Sequence, residues 1–191
     1  IIVETLAKVG LVRLNRPEKI NALDQAMFQA LADTGDRLAR DPSVRAVVLS
    51  GEGRGFCAGL DFEAFMGMAG AERGGGTARG LMDRPEGRPA NLGQQAAYTW
   101  TELPVPVIAA VHGVALGGGL QVALGADLRI VAPDARLSVL EIRWGLVPDM
   151  TGTDVLPRLL PLDVAKELTW TGRLVYGEEA VRIGLASQLA E

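Results

Sequence analysis

The chain has very few of the residues on which disulfide frameworks and zinc sites depend. One cysteine, Cys57, and one histidine, His112, occur among its 191 residues. A single cysteine excludes an internal disulfide framework, and the two residues together are too few for the usual zinc sites, so we predict no metal. We expect Cys57 to be a small buried hydrophobe and His112 to be a hydrogen-bonded group in a buried strand.

Cationic residues are in the minority, with 19 Lys and Arg against 23 Asp and Glu and a net charge of −4. Phosphate binding needs a clustered cationic face, so nucleic acid is excluded as the main partner. The N-terminus does not have the charge and hydropathy order of a signal peptide. The apolar run 105–126 is interrupted by Pro106 and by glycines, so we predict no membrane span. The single cysteine favours a reducing, cytoplasmic compartment.

The hydrophobic fraction of 48% and charged fraction of 22% are typical of one soluble domain with a real core. Apolar β-type runs predict strands over 9–15, 44–50, 105–111 and 127–132. Helical patterns cover 24–40, 92–103, 119–126, 162–171 and 177–183. This alternation predicts an α/β architecture. Residues 67–93 are glycine-rich and aperiodic, which indicates either a loop beside a site or a surface excursion.

Three consecutive glycines, Gly117 to Gly119, separate a predicted strand from a predicted helix. Such a junction leaves backbone N–H groups unpaired, with no side chain to keep a ligand away. The surroundings are too apolar for a phosphate and lack the lysine and Ser/Thr of a P-loop. A developing negative charge on a carbonyl oxygen is the better candidate, and close helix–strand packing is the alternative. The turn 58–61 could present a further N–H to the same oxygen.

Five segments are characteristic of one protein family. They are LNRPEKINAL (14–23), FCAGLD (56–61), PVIAAVHGVALGGG (106–119), ADLRI (126–130) and LEIRWGLVPDMTGT (140–153). Over essentially its whole length the chain resembles the enoyl-CoA hydratase/isomerase, or crotonase, superfamily. The resemblance implies a single crotonase-type domain, a ClpP-like spiral of ββα units, over residues 1–191. It also implies an acyl-CoA thioester substrate, no cofactor beyond the CoA of that substrate, and an oxyanion hole formed by the N–H groups of Leu60 and Gly118.

The residues that would move protons depart from the family pattern. Hydratases of the family use two glutamates; the second corresponds to Glu141, but the first falls on Gln121. An amide can position a water but cannot accept and return a proton near neutral pH. Asp149 stands where the dienoyl-CoA isomerase branch has its second acid, although that branch also has an aspartate at position 121. We therefore predict double-bond isomerisation, with Glu141 as base and Asp149 as proton partner.

Alternatives remain at several positions. Hydration is the second candidate activity, and a non-catalytic acyl-CoA binder is the third. Asp149 could instead cap the following helix. Ala58, Asp61, Lys19 and Trp144 are predicted to contact the substrate or its CoA, whereas a solvated lysine and a core tryptophan are the alternatives. Members of the family usually carry a further C-terminal helical segment, which we expect this chain to lack. They form trimers and dimers of trimers, so we predict a homotrimer or hexamer.

Overall fold

The larger of two β-sheets forms the centre of the protein. The structure, a computed structural model, describes residues 1–63, 77–84 and 86–190. The sheet has the strand order β1-β2-β3-β4-β6-β9, and its strands are parallel except for the β1–β2 hairpin. These strands are β1 Ile2–Leu6, β2 Val9–Leu14, β3 Ala46–Gly51, β4 Val107–Val111, β6 Leu128–Val131 and β9 Gln188–Leu189.

A second, smaller sheet consists of β5 Val114–Leu116, β7 Arg136–Ser138 and β8 Val175–Tyr176. The chain alternates between the sheets, because β4 and β6 lie in the larger sheet while β5 and β7, which follow them, lie in the smaller one. A helix follows β5, and the 3-10 turn Leu140–Trp144 follows β7. This strand–strand–helix order agrees with the ββα units that the family resemblance implies.

The described helices are α1 Gln25–Ala39, α2 Thr77–Met82, α3 Leu92–Thr101, α4 Gly118–Leu124, α5 Gly152–Leu159, α6 Leu162–Thr171 and α7 Gly177–Ile183. Asp24 caps α1 by accepting the Met27 N–H, and Asn91 and Gln94 form a capping box at the start of α3. A continuous cluster of buried apolar side chains joins the larger sheet to α1, α3 and α4. None of the described helices is long and apolar enough to cross a membrane.

The predicted α/β class is confirmed, but six elements differ from expectation. The sequence pattern does not predict β1, whose hairpin turn is formed by Ala7 and Lys8 at φ 48° and 71° rather than by glycine or asparagine. It also misses the three short strands of the smaller sheet, and it gives no bounds for α5, which has Pro157 inside it. Helix α2 lies within the segment expected to be aperiodic, and residues 67–76 and 85 of that segment lie outside the described residues.

Candidate active site

The turn at residues 58–60 is fixed on both sides by backbone hydrogen bonds. The Ala58 N–H donates to the carbonyl of Ile20, and the Asp61 N–H donates to the carbonyl of Leu23. Gly59 between them has φ +91°, and a Cβ there would lie 2.5 Å from the Leu116 oxygen. Within the described part of the chain, the Leu60 N–H has no acceptor outside the turn. It is therefore available to a ligand, and its predicted place in an oxyanion hole stays a prediction.

The second turn is formed by the three glycines, each of which has a different reason to lack a side chain. Gly117 has φ +51°, a conformation that favours glycine. Gly118 is the first residue of α4, so its N–H has no acceptor within the helix. A Cβ on Gly119 would lie 2.5 Å from the Cys57 oxygen. The close packing that was the alternative explanation is thus present at Gly119, and the role of the Gly118 N–H at a carbonyl oxygen stays a prediction.

The two turns meet at one place. A Cβ on Gly59 would lie 3.7 Å from the Gly118 nitrogen. Two neighbouring cavities, of about 140 and 410 Å³, share lining residues that include Leu60, Gly118 and Glu141. We call them the smaller and the larger cavity. The two available N–H groups and the predicted base therefore lie where the cavities join.

Glu141 lies in the 3-10 turn and is buried, with 7% of its surface exposed. Its Oε1 accepts a hydrogen bond from Nε2 of Gln121 at 2.6 Å, and its Oε2 is buried with no hydrogen-bond partner among the described residues. Burial is the largest influence on its pKa and raises it, and the negative charge of Asp149 acts in the same direction. The nearby Glu141 backbone and the hydrogen bond from Gln121 act in the opposite direction. A carboxyl whose pKa is raised is suited to exchange protons near neutral pH.

Asp149 lines the larger cavity together with Gln121 and Glu141, so the structure brings the three predicted catalytic side chains to one cavity. The alternative of a helix cap is wrong. Helix α5 begins at Gly152, and the residue at its N-cap is Thr151, whose side chain makes no capping hydrogen bond. The helix starts later than the sequence suggests because Thr151 has a left-handed backbone, φ 88°.

Trp144 is on the surface, with 56% of its area exposed. The alternative prediction, that it is a core residue, is therefore wrong. Its ring stacks on that of Phe62, with centroids 4.0 Å apart and an interplanar angle of 25°. Both rings line the smaller cavity, which Ala58 also lines. The sequence does not predict a role for Phe62, because nothing there distinguishes it from any other aromatic residue beside a turn.

Lys19 and Asp61 are engaged with other side chains instead of lining either cavity. Lys19 Nζ pairs with Glu63 at 2.5 Å, and that hydrogen bond raises the pKa of the lysine. Asp61 is buried and pairs with Arg16 at 2.7 Å. Both ion pairs link the segment before α1 to residues that follow the turn at 58–60. Their predicted contact with CoA stays a prediction.

Cys57 and His112 make contacts that stabilise the fold and lie outside both cavities. Cys57 is buried as expected, and burial raises the pKa of its thiol to about 12, which leaves it unreactive. His112 is only partly buried and lies just after β4 rather than inside it, which corrects the predicted position. Its ring Nε2 donates to the Gly53 carbonyl at 2.9 Å.

Gly152 is a site residue that sequence reasoning missed. Its N–H donates to Oε1 of Gln121 at 2.8 Å. A Cβ at this position would lie 2.8 Å from the same oxygen, so the close approach requires glycine. The only signal in the sequence is that this glycine lies in the family segment 140–153, three residues after Asp149.

Comparison with known proteins gives consistent matches. A sequence model of the family described as enoyl-CoA hydratase/isomerase matches residues 4–190. The chain is 36% identical to a probable enoyl-CoA hydratase of Bacillus subtilis (strain 168), over 94% of the chain and 64% of that protein. It is 34% identical to the short-chain-enoyl-CoA hydratase of Clostridium acetobutylicum, over 100% of the chain and 69% of that protein.

A solved structure agrees with these sequence matches. The crystal structure of an enoyl-CoA hydratase from Mycobacterium tuberculosis H37Rv superposes with a TM-score of 0.80 at 36% identity. The match covers 100% of this chain and 68% of that one. The predicted fold is thereby confirmed. The chain spans about two thirds of the length of these relatives, between 64% and 69%.

Proposed function

The chain belongs to the enoyl-CoA hydratase/isomerase family, the crotonase superfamily, and from this premise we propose that it acts on acyl-CoA thioesters through a stabilised enolate. The observation that carries the proposal is the buried Glu141 carboxylate at the junction of two cavities, beside the available N–H groups of Leu60 and Gly118. We infer that it needs no cofactor other than the CoA of its substrate.

The two N–H groups would receive the thioester oxygen. A carbonyl that accepts two preorganised hydrogen bonds withdraws electrons from the neighbouring carbon, C2, and makes its hydrogens acidic. Negative charge develops on that oxygen as the proton leaves, and the donors stabilise this charge more strongly than the neutral carbonyl. Glu141 would take the C2 proton on Oε2, the carboxylate oxygen that has no described partner.

Among the reactions open to such an enolate, we propose double-bond isomerisation. After Glu141 takes the C2 proton, the electron pair moves into the conjugated system, the thioester carbonyl re-forms, and a proton is added at the far carbon. Asp149 would relay that proton from solvent to the far carbon, because it lines the same cavity as Glu141. Its carboxyl is exposed to solvent, and Glu141 releases the C2 proton to solvent once the product has left, so both carboxyls end as they began. Gln121 is neutral and takes no part in the proton transfers.

Hydration is the second candidate, and the names of the relatives from B. subtilis and C. acetobutylicum favour it. With a glutamine at position 121, Glu141 would have to perform both proton transfers. It would take a proton from water as the oxygen adds to C3 and return that proton to C2. The site offers one buried carboxylate for this purpose among the described residues that line the larger cavity.

Ultraviolet progress curves separate the candidates. The purified protein is given a 2-enoyl-CoA and, separately, a 3,5-dienoyl-CoA. We expect the band of the conjugated 2,4-diene to grow with the dienoyl substrate while the enoyl chromophore persists. Loss of the enoyl chromophore, with a product heavier by one water and no growth of the diene band, would establish hydration in place of isomerisation. Tight binding of both thioesters, with no spectral change from either of them, would establish a non-catalytic binder.

We also propose that the protein assembles as a homotrimer or hexamer in the cytoplasm. Large apolar side chains are exposed on the 3-10 turn, on α6 and near it, including Ile142, Leu162 and Trp170. Burial of such side chains between copies would stabilise an assembly. Light scattering coupled to gel filtration measures the mass directly, and a monomer at micromolar concentration would contradict the proposal.

A further inference from the structure

We propose that Gln121 is a positioning residue, whose amide is anchored on the Gly152 N–H and holds the Glu141 carboxylate with Oε2 free for the transferred proton. The inference rests on the proposed function, because it assigns a role in that same site. It replaces the sequence-based interpretation in which Gln121 positions a water. Three features of the structure support it.

The first feature is the direction of the Gln121 amide. The Gly152 N–H can only donate, so the atom of Gln121 that faces it at 2.8 Å must be the oxygen. The nitrogen of the amide then necessarily faces Glu141, where it donates to Oε1 at 2.6 Å. The orientation of the amide is therefore set by the backbone. In this orientation the amide accepts a hydrogen bond through its oxygen and donates one through its nitrogen.

The second feature is the strained backbone that aims the Gly152 N–H. Thr151 has φ 88°, which is an outlier for a β-branched residue, and its Oγ1 is buried without a described partner. Such a conformation persists where the surroundings enforce it, and it is common at functional sites. Gly152 itself has no room for a Cβ, which would lie 2.8 Å from the Gln121 oxygen and 3.0 Å from Pro148 Cβ.

The third feature is the different surroundings of the two Glu141 oxygens. Oε1 is engaged by Gln121, and the carboxylate packs on Gly117, where a Cβ would lie 3.4 Å from Oε1. Oε2 has no described hydrogen-bond partner, although Glu141 lines both cavities. The amide thus occupies one oxygen and leaves the other as the proton acceptor.

Few charges act on this carboxylate from the elements packed around it. Helix α4 carries no titratable residue, and Asp149 is the charged group that raises the Glu141 pKa. On α6, which packs against the 3-10 turn, Glu167 pairs with Arg173 and Lys166 lines a separate cavity. Arg143, on the turn itself, is exposed. The Gln121 hydrogen bond is therefore the main side-chain contact that favours the ionised form.

The test is to titrate Glu141 directly, by NMR of protein with 13C-labelled glutamate carboxyl groups, in three variants. Gln121→Met keeps the size of the side chain and removes the donor. Gly152→Ala displaces the Gln121 oxygen, which is the mobile end of a side chain. Gln121→Glu keeps the shape but places two carboxylates in contact, and these must share a proton. We expect the Glu141 pKa to rise in all three variants, most in Gln121→Glu.

The pH dependence of the rate provides the second readout. Since Glu141 acts as a base, the rate rises with pH through its pKa, so we expect this ascending limb to move to higher pH in each variant. On that limb the loss of a hydrogen bond to a charged group should reduce kcat/KM by about tenfold. Gln29→Met on the exposed face of α1 and Gly10→Ala in β2, where a Cβ would make ordinary contacts at 3.5 Å, are the matched controls.

The outcomes separate this inference from the proposed function. A Glu141 pKa that is unchanged in Gln121→Met and Gly152→Ala would overturn the positioning role, even if the rate fell. An unaltered wild-type protein that turns over no acyl-CoA would instead contradict the proposed function. The NMR titration needs no substrate, so it judges the contact between Gln121 and Glu141 in either case.

Discussion

Replacing Gly118 by proline deletes one of the two proposed oxyanion donors while leaving its position in the backbone occupied. Gly118 is the first residue of α4, the helical position at which proline is favoured. The preceding residue, Gly117, has φ 51° and ψ −123°. This is the mirror image of the extended conformation preferred before proline, and glycine adopts either hand equally well. The substitution is therefore compatible with the local backbone.

The size of the effect follows from the role assigned to the N–H. Removal of one oxyanion donor typically reduces kcat by about 10²–10³-fold. Gly118→Ala is the control, because both variants add a Cβ, which would meet Met150 Sδ at 3.0 Å and Leu23 Cδ1 at 3.1 Å, and only proline removes the N–H. We expect Gly118→Pro to be slower than Gly118→Ala by about 10²-fold or more.

The assay is the exchange of the C2 hydrogens of a saturated acyl-CoA with D₂O, followed by proton NMR. A saturated thioester can be neither isomerised nor hydrated, so the exchange measures enolate formation alone. Binding of the thioester is measured separately by calorimetry, and folding by circular dichroism, so that the comparison is made on the bound, folded enzyme. Equal exchange rates for the two variants would refute the assignment of the Gly118 N–H to the oxyanion hole.

Three further predictions concern the base, its pKa and the packing of α1. Glu141→Gln should reduce the exchange rate by about 10²–10⁴-fold, whereas Asp149→Asn should leave exchange close to wild type and reduce dienoyl-CoA isomerisation; equal losses in both assays would contradict the division of roles. The folded state binds the Glu141 proton more tightly than the unfolded state, because the pKa is raised by burial. The wild-type protein therefore loses stability as the pH rises from the pKa of Glu141 in the unfolded state to its pKa in the folded state. The Tm of Glu141→Gln, measured by calorimetry, should exceed that of wild type by a margin that grows over this pH range. A margin independent of pH would contradict the prediction. Gly35→Ala should destabilise the fold by about 1–3 kcal/mol in urea titrations, because a Cβ would lie 1.8 Å from Thr99 Oγ1, and Thr99→Ala should restore part of that loss; independent, additive effects would rule out this contact.

The backbone part of the site is predictable because glycine leaves a direct trace in the sequence. Consecutive glycines after an apolar strand require either an unusual φ or a close approach, and the structure has both, at Gly117 and Gly119. The same reasoning locates the turn at Gly59. Both a positive φ and a close approach exclude a side chain, so either cause leaves a glycine that can be recognised before the packing is known.

The side-chain part is not predictable in the same way, because it depends on contacts between distant segments. Gln121 and Glu141 are 20 residues apart, and the atom that each presents to the other is decided by the Gly152 N–H, 31 residues beyond Gln121. Trp144 is exposed because the short 3-10 turn that carries it lies at the surface. Hydrophobicity alone favours the opposite expectation for a tryptophan.

The glutamine at position 121 reduces the number of side chains in the larger cavity that can exchange a proton. Glutamine stays neutral, so Glu141 is the one buried carboxylate among the described residues that line the larger cavity, and Asp149 is an exposed one. Glu141 can serve either reaction, since both isomerisation and hydration need one base next to C2. What differs is the carbon that receives the final proton: the far carbon of the conjugated system in isomerisation, and C2 in hydration. Delivery to the far carbon needs a second acid, and Asp149 is the candidate. Replacement of Asp149, rather than of Glu141, therefore distinguishes the two reactions.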